Sequence, residues 1–333
     1  MECDVYAMGN ALVDMEFAVE EEFLQRLGVT KGLMTLVDAD TQYRILQALR
    51  THHGVRACGG SAANTVAAVA GFGGRPYYVC LVGADEMGDF YVEELASRGI
   101  ATNMNGARPA GTTGSCVVLV TPDAERSMNT YLGVSVELGE EHLDEEILAR
   151  SRFLYVEGYL ASSPSARPAC VRAMEWARRH GVRTALSFSD PAMVRTFRLG
   201  LEEMVAEGVD LLFCNRDEAL AWVGCRTLAK AADSLRQLAG AFAITLGSQG
   251  ALVYDGYQIH EIEPVVVEAR DTNGAGDMFA GAFLYGITHG LSYPEAGQLA
   301  SLAASRVVAR FGPRLPPEEY GQIWRDFRAQ SVT

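Results

Sequence analysis

Short apolar segments alternate along this chain with longer segments that have helical character. Before residue 100, four apolar stretches have the length and composition of β-strands, and they cover residues 4–9, 12–19, 32–38 and 76–83. Four further segments have the composition and the acidic or glycine boundaries of helices, and they cover residues 21–28, 40–54, 58–74 and 85–99. The N-terminal part of the chain therefore predicts interleaved strands and helices.

Residues 112–133, TTGSCVVLVTPDAERSMNTYLG, follow a different pattern. Two β-type runs lie on either side of a turn-forming Pro-Asp pair, and no helical pattern separates them. This segment predicts a β-hairpin that belongs to a small all-β unit rather than to the main sheet.

After residue 150 the alternation becomes regular. Strand patterns cover residues 153–159, 184–190, 211–215, 241–247, 251–256 and 257–263, with helical stretches between the first four. Alternating strands and helices predict a parallel sheet covered on both faces. Ligands bind beyond the carboxyl ends of the strands in such sheets, and polar residues lie at those positions here: Asp190, Asn215, Glu218, Thr245 and Gly247.

The bulk composition narrows the class of protein. The chain has 333 residues, which suits one large α/β domain with a smaller unit, or two domains. Its 49% content of hydrophobic residues supplies a sizeable core. The formal net charge of −14 disfavours non-specific binding to nucleic acid or to anionic membranes. A phosphorylated small ligand remains compatible, because backbone amides bind phosphate without net charge.

Cysteine usage and the N-terminus indicate the compartment. The seven cysteines are an odd number and form no CxxC, which argues for a reducing environment and against a disulfide framework or a zinc site. The N-terminus has early acidic residues and no basic region typical of a signal peptide. No apolar run reaches the length of a membrane span. A cytoplasmic protein is therefore expected.

The segment DTNGAGD, residues 271–277, carries the strongest chemical signal. If a helix begins near its glycines, the first amides are unpaired and form an anion site. Asp277 then lies in the first turn of that helix. It either complements the helix dipole or acts as a general base that accepts a proton from an attacking hydroxyl.

Two further segments suggest a polyhydroxy ligand. In CGGSAANT, residues 58–65, Ser61 and Asn64 share a helical face, so they either bind such a ligand or belong to an ordinary turn and cap. In GNALVD, residues 9–14, Asp14 interrupts an apolar strand. Its two oxygens could accept from neighbouring sugar hydroxyls, unless Asp14 lies at a solvated sheet edge.

The remaining candidates are weaker when taken singly. Asn215 and Glu218, in NRDE, supply oxygens that suit Mg²⁺, or they cap a helix. TLGSQG, residues 245–250, is a glycine-rich turn between strands. Arg126 is a surface charge unless the hairpin folds over the site.

Taken in order, these motifs resemble those of the ribokinase-like, or PfkB, family of carbohydrate and nucleoside kinases. The resemblance covers nearly the whole chain, and DTNGAGD followed by a small-residue helix is its most specific part. Within the family, GNALVD, ERSMNTYLG and the DTNGAGD variant are most similar to bacterial adenosine kinases.

The resemblance implies a role for each matching position. Asp277 would be the catalytic base, the amides of Gly274, Ala275 and Gly276 would form the anion hole, and Arg126 would reach from a lid toward the transferred phosphate. The acceptor site would comprise Asn10, Asp14, Gly59, Gly60, Ser61 and Asn64. Asn215 and Glu218 would organise Mg²⁺ through water. The ATP site would comprise Asn215, Thr245, Gly247, Gly250, Thr272 and Asn273.

The resemblance also implies an architecture. We expect an α/β fold, a ribokinase-like three-layer α/β/α domain with a mainly parallel central sheet, plus a small β-sheet lid. The large domain would comprise 1–11, 39–100 and 134–333, and the lid would comprise 12–38 and 101–133. The protein would be a monomer or a homodimer formed through the lids.

The expected reaction is ATP- and Mg²⁺-dependent phosphorylation of a primary hydroxyl, with the 5′-hydroxyl of adenosine as the leading acceptor. A sugar kinase acting on ribose, fructose or 2-keto-3-deoxygluconate stays open, as do inosine, guanosine and cytidine as acceptors. A non-catalytic nucleotide- or metabolite-binding regulator is the rival from another class. Two points depart from the family or stay undecided: Ser301 stands where many relatives have an Asn near ATP, and K⁺ binding near 311–314 is open.

Overall fold

The structure is a computed structural model that describes residues 2–32, 34–104, 106–123 and 125–330. Leu33, Asn105 and Ala124, which fall inside the predicted lid segments, and the extreme termini of the predicted large domain lie outside the described residues.

A nine-stranded sheet forms the centre of the molecule, with spatial order β14-β13-β12-β11-β10-β9-β1-β5-β6. The seven strands from β12 to β6 pair in parallel, whereas β13 and β14 are antiparallel additions at one edge. The strands are β1 Cys3–Met8, β5 Pro76–Val79, β6 Ala101–Thr102, β9 Ser151–Glu157, β10 Arg183–Ser187, β11 Val209–Asn215, β12 Ala239–Thr245, β13 Ala251–Tyr254 and β14 Ile259–Ile262. The parallel sheet predicted from the βα alternation is confirmed.

Two groups of helices cover this sheet. One group packs around β1, β5, β11 and β13 and includes α3 Ser61–Gly71, α11 Ala275–Thr288 and α12 Tyr293–Val308, and α13 Pro317–Gln330 packs against α12. The other packs around β1, β9, β10, β11 and β12 and includes α5 Glu145–Ala149, α6 Ala166–His180, α7 Pro191–Thr196, α8 Arg198–Met204, α9 Arg216–Val223 and α10 Leu228–Leu235. α4 Glu86–Ser97 precedes β6, and short 3₁₀ turns cover Gly133–Glu137, Glu140–His142, Gly158–Ser162 and Gly247–Gln249.

A second sheet of five strands has the order β3-β8-β7-β2-β4. Its strands are β2 Leu12–Ala18, β3 Met34–Leu36, β4 Gly54–Gly59, β7 Gly114–Val120 and β8 Arg126–Tyr131. The antiparallel pairing of β7 with β8 confirms the predicted hairpin. Helix α1, Glu21–Leu27, lies between β2 and β3 in the chain, and α2, Ala39–Ala48, contacts β7 and β8.

The predicted unit boundaries differ from the sheets at two places. Gly54–Gly59 pairs with β2 in the small sheet, although 39–100 was assigned to the large domain. Ala101–Thr102 pairs with β5 in the large sheet, although 101–133 was assigned to the lid. β6 has only two residues, and the first four residues of β4 are exposed, so neither segment has the run of buried apolar residues that marks a strand in the sequence. That the small sheet moves as a lid stays a proposal.

The chain topology brings both sheets to one place. β1 ends at Met8, and the chain crosses through Gly9–Ala11 into β2 of the small sheet. β4 returns from the small sheet directly into α3, which packs on the large sheet. These two crossings place the small sheet at the carboxyl ends of the parallel strands, where α/β proteins bind ligands.

Candidate active site

A cavity of about 390 Å³ lies between the two sheets at the carboxyl ends of the central strands. Many of the residues predicted for the site line it: Asn10, Asp14, Gly60, Ser61, Asn64, Asn215, Glu218, Thr245, Asn273, Gly274, Gly276 and Asp277. The register explains part of this grouping, because Asn215 and Thr245 are direct partners on neighbouring parallel strands.

Helix α3 orients the carboxylate of Asp277. The Ser61 hydroxyl donates to Asp277 Oδ1 over 2.6 Å, and the Asn64 amide donates to Asp277 Oδ2 over 2.9 Å. Because Ser61 and Asn64 are three residues apart in a helix, their side chains lie on the same face, as predicted. Their observed partner is Asp277, whereas the sequence assigned both to the acceptor. A carboxylate has about four acceptor positions, so Asp277 keeps capacity for a hydroxyl proton.

The environment of Asp277 adjusts its basicity. Burial raises the pKa of Asp277 to about 6, although the bonds from Ser61 and Asn64 and the charge of Arg314 lower it. A base with a pKa near the working pH can accept a proton and is still ionised in most molecules.

The chain just before Asp277 requires a glycine at position 274. Gly274 caps α11 with φ of 74°, and a Cβ there would lie 2.4 Å from Pro313 Cβ. The amides of Gly276 and Asp277, in the first turn, make no hydrogen bond within the described chain, whereas the Ala275 amide donates to Thr272 over 3.3 Å. The amides of Gly276 and Asp277 are therefore free to bind an anion, whereas the amide of Ala275 already makes a long hydrogen bond; the anion hole stays a prediction.

Asp14 lines the cavity from the small sheet. None of the described residues donates a hydrogen bond to its carboxylate, so both oxygens are available to a ligand. Burial raises the pKa of Asp14 to about 7, and the charges of Arg314 and Arg126 oppose that rise. Gly59 makes room for this carboxylate, because a Cβ at Gly59 would lie 2.4 Å from its oxygens.

Glu157, at the end of β9, is a cavity residue that sequence reasoning missed. Its side chain accepts from the Asn10 backbone over 2.8 Å, the Asn10 side chain over 3.0 Å and the Ala62 amide over 2.7 Å. It is 1% exposed, and burial raises its pKa to about 7. The signal was present, because a lone Glu ends the apolar strand pattern FLYVE and the same strand-end rule had selected Asn215.

Asn215 and Glu218 form a capping box at the start of α9. Asn215 Oδ1 accepts from the Glu218 amide, and Glu218 Oε2 accepts from the Asn215 amide, each over 2.9 Å. Burial raises the pKa of Glu218 to about 7. A divalent cation would favour the ionised form, so the pair fits Mg²⁺. Direct coordination would compete with the capping bonds, which favours contact through water.

Arg126 does not line the cavity in this structure. Its guanidinium lies 3.0 Å from Asp271 and 3.2 Å from Glu16, so it joins the small sheet to the DTNGAGD segment. The hydrogen bonds to the Asp271 carboxylate come from the amides of Asn273 and Gly312. In this structure Arg126 is paired with the carboxylates of Asp271 and Glu16, and its reach toward a transferred phosphate stays a prediction.

Several other predicted residues lie at the margin. Gly247 and Gly250 shape the turn after β12 with positive φ angles, and a Cβ at Gly250 would lie 2.0 Å from Ile262 O. Thr272 is exposed, and Ser301 donates to Glu263 O over 3.2 Å. None of these four is among the residues that line the described cavity.

The cavity wall formed by the small sheet is largely apolar. It includes Leu12, Met34, Leu36, Cys116, Val118, Met128 and Leu132. Leu36 and Cys116 belong to this wall. Met15 and Phe17 do not, because alternate residues of β2 point to opposite faces, and Leu12 and Asp14 take the face toward the cavity.

Arg314 is the second residue that sequence reasoning missed. Its Nε donates to Asn64 Oδ1 over 2.8 Å, and its Nη1 donates to Glu94 Oε2 over 2.6 Å. No sequence pattern placed this arginine near Asp277, since 250 residues separate Arg314 from Asn64. From the sequence, residues 311–314 are connected only with K⁺ binding.

In the part of the chain that the structure describes, no helix combines the length and apolarity needed to cross a bilayer.

Comparisons with known proteins agree with this architecture. The family model for the pfkB family carbohydrate kinases matches residues 24–319. The crystal structure of adenosine kinase from Sinorhizobium meliloti superimposes with a TM-score of 0.89 at 36% identity, covering 98% of this chain and 99% of that one. A probable sugar kinase protein from Rhizobium etli CFN 42 gives a TM-score of 0.89 at 34% identity, with the same coverage.

Adenosine kinase from Saccharomyces cerevisiae is 25% identical over 345 residues, which cover 96% of this chain and 98% of that protein. The ribokinase-like fold with its mainly parallel sheet and second small sheet is therefore confirmed. The chain belongs to the pfkB family of carbohydrate kinases and is an ATP-dependent kinase.

Proposed function

We propose that this kinase transfers the γ-phosphoryl group of ATP to the 5′-hydroxyl of adenosine. The observation that carries the proposal is the two-sided cavity. The carboxylate of Asp14 reaches the cavity from β2 of the small sheet and that of Asp277 from the start of α11, whereas most other small-sheet residues that line it are apolar. A ribose needs the polar side, and a purine base needs the apolar side. A sugar alone would leave the apolar wall without a partner.

The proposed reaction uses groups at defined positions. The free oxygens of Asp14 accept from ribose hydroxyls, and Glu157 keeps Asn10 beside them. Asp277 takes the proton of the attacking hydroxyl. That oxygen then bonds to the γ-phosphorus, and ADP leaves. The free amides at the start of α11 face the charge on the transferred group.

The metal has a defined place in this proposal. Glu218 and Asn215 would hold Mg²⁺ through water, and the metal supplies charge neutralisation on the phosphates. Dependence on K⁺ stays a prediction, tested by comparing turnover in K⁺ and in Na⁺ buffers. A cytoplasmic location and a monomer or lid-paired dimer likewise stay predictions.

The rival acceptors are sugars and other nucleosides. The adenosine kinases among the similar proteins favour adenosine, and the Rhizobium etli protein keeps a sugar acceptor in view. A non-catalytic regulator is disfavoured by the family and by the paired orientation of Asp277.

A coupled ADP-release assay with ATP and Mg²⁺ tests the acceptor. The panel contains adenosine, inosine, guanosine, cytidine, ribose, fructose and 2-keto-3-deoxygluconate. We expect adenosine to give the highest kcat/KM. A higher value for any sugar would overturn the proposal.

A Leu36→Trp variant tests whether the apolar wall of the cavity holds the base of the acceptor. Leu36 borders the cavity and is 48% exposed, so the larger ring narrows the base slot without entering the core. The KM for adenosine should rise by about tenfold or more, because the indole ring at position 36 keeps the base from its apolar contacts with the rest of the wall. Val55→Trp is the matched control, because Val55 is 72% exposed on β4 and does not border the cavity. Equal effects of both variants would contradict the assignment of the slot.

A further inference from the structure

Arg314 is an almost fully buried cation beneath the floor of the cavity. Its side chain is 7% exposed, and it lies in the loop that leads to α13. Nε and Nη1 are bonded to Asn64 and Glu94, whereas Nη2 is buried without a hydrogen-bond partner within the described chain. Burying a guanidinium needs compensation, so the contacts of Arg314 indicate what it does.

The bonding pattern fixes the amide of Asn64. An arginine can only donate, so the atom of Asn64 that faces Arg314 must be the carbonyl oxygen Oδ1. The amide nitrogen is then directed at Asp277 Oδ2, 2.9 Å away. A flipped amide would set oxygen against carboxylate oxygen. Arg314 thus determines which face of Asn64 the base meets, although it does not touch the base.

The same guanidinium also acts through its charge. Ionisable groups from several elements surround it, and they are Asp14, Cys58, Tyr91, Glu94, Asp277 and Tyr320. Glu94 is the direct ion-pair partner, and Arg98 binds that carboxylate as well. Among the charges near Asp14, Arg314 is the largest that lowers the pKa of this carboxyl.

We propose that Arg314 is a positioning residue for phosphoryl transfer: it orients Asn64 toward Asp277 and supplies the positive charge shared by Asp277 and Asp14. This inference rests on the proposed roles of those two carboxylates. Glu94 completes the arrangement by holding the guanidinium in place from α4.

The pH dependence distinguishes this role from simple tethering of the loop. An opposite charge close to a carboxylate lowers its pKa by about 1 to 3 units. Replacing Arg314 with methionine removes that charge and frees Asn64. We expect the acid limb of kcat/KM for the acceptor to move up by about one pH unit. The loss should be about fivefold greater at pH 6 than at pH 8, because fewer Asp277 and Asp14 side chains are ionised at pH 6.

Two variants guard against loss of folding and test the charge. Arg314→Met combined with Glu94→Gln removes both members of the buried ion pair and should show the same shift. Arg314→Lys keeps the charge and should restore most of the acid limb. Arg98→Met is the matched control, because Arg98 binds Glu94 but does not contact Asn64. Its acid limb should match that of the unmodified protein.

A direct titration separates this inference from the proposed function. ¹³C NMR of protein with labelled aspartates measures the titration midpoints of the Asp277 and Asp14 carboxyls without any turnover. The variants Asp277→Asn and Asp14→Asn identify the two resonances, because each removes one of them. If the titration midpoints of Asp277 and Asp14 are both higher in Arg314→Met than in the unmodified protein, the proposal is supported. Unchanged midpoints, or equal shifts in Arg314→Lys and Arg314→Met, overturn it. If Asp277→Asn kept its turnover, the base assignment would fail, and this titration would still decide the role of Arg314.

Discussion

Replacement of Asp277 by asparagine separates chemistry from binding and from folding. Asparagine has the same shape, so its amide can accept from Asn64 and donate to the Ser61 hydroxyl, which preserves the contacts seen at 2.9 and 2.6 Å. What disappears is the ability to take a proton. A positioned general base contributes about 10² to 10⁴ in rate, so kcat should fall by roughly 10³. The KM for ATP should change little.

The same variant has an opposite expected effect on stability. The pKa of Asp277 is raised by burial from 3.8 to about 6. Between these pH values the folded state binds more protons than the unfolded state. Ionisation of Asp277 therefore destabilises the fold, an effect absent below about pH 4 and complete above about pH 6. Asparagine removes it, so thermal unfolding of Asp277→Asn at pH 8 should occur at or above the Tm of the unmodified protein.

Three measurements test this reasoning. Steady-state kinetics with ATP, Mg²⁺ and the best acceptor give kcat and both KM values. A pH series gives the acid limb, which should have a component near pH 6 that is absent from the variant. Calorimetry at pH 4 and pH 8 gives the stability difference. Turnover above about a tenth of the unmodified rate would refute the base assignment. A large fall in Tm at pH 8 would refute the burial argument.

Other changes test the neighbouring groups. Asp14→Ala removes the two carboxylate oxygens that have no hydrogen-bond partner among the described residues. It should raise the KM for the phosphoryl acceptor by at least about tenfold and leave the KM for ATP unchanged. A change in the KM for ATP alone would show that the acceptor does not bind at Asp14. Glu157→Ala leaves three buried N–H groups without their acceptor and should lower the free energy of unfolding in urea by about 1 to 3 kcal/mol; equal stability would show that water replaces the carboxylate. Glu218→Gln should raise the Mg²⁺ concentration for half-maximal activity severalfold, and an unchanged Mg²⁺ requirement would argue that the metal lies elsewhere.

The sequence determined the order of the motifs and most of the secondary structure, although it did not indicate β4 or β6. Alternation of apolar strands and helices predicts a parallel sheet because buried strands and covering helices differ in period and length. Small residues and polar groups at strand ends predict where ligands bind, since carboxyl ends of parallel strands share one edge. Asp277 and Asn215 could be named on these grounds, and Asp14 could be named because it interrupts an apolar strand; all three line the cavity.

The tertiary structure decided which groups meet. The exposed strand β4 has no apolar alternation, so only its pairing with β2 assigns it to the small sheet. The partner of Ser61 and Asn64 is Asp277, more than 200 residues away, and no local pattern encodes such a contact. Arg314 reaches Asn64 across 250 residues, and Arg126 pairs with Asp271. Local periodicity specifies elements, but contacts between distant side chains depend on packing, and packing sets the pKa of the base.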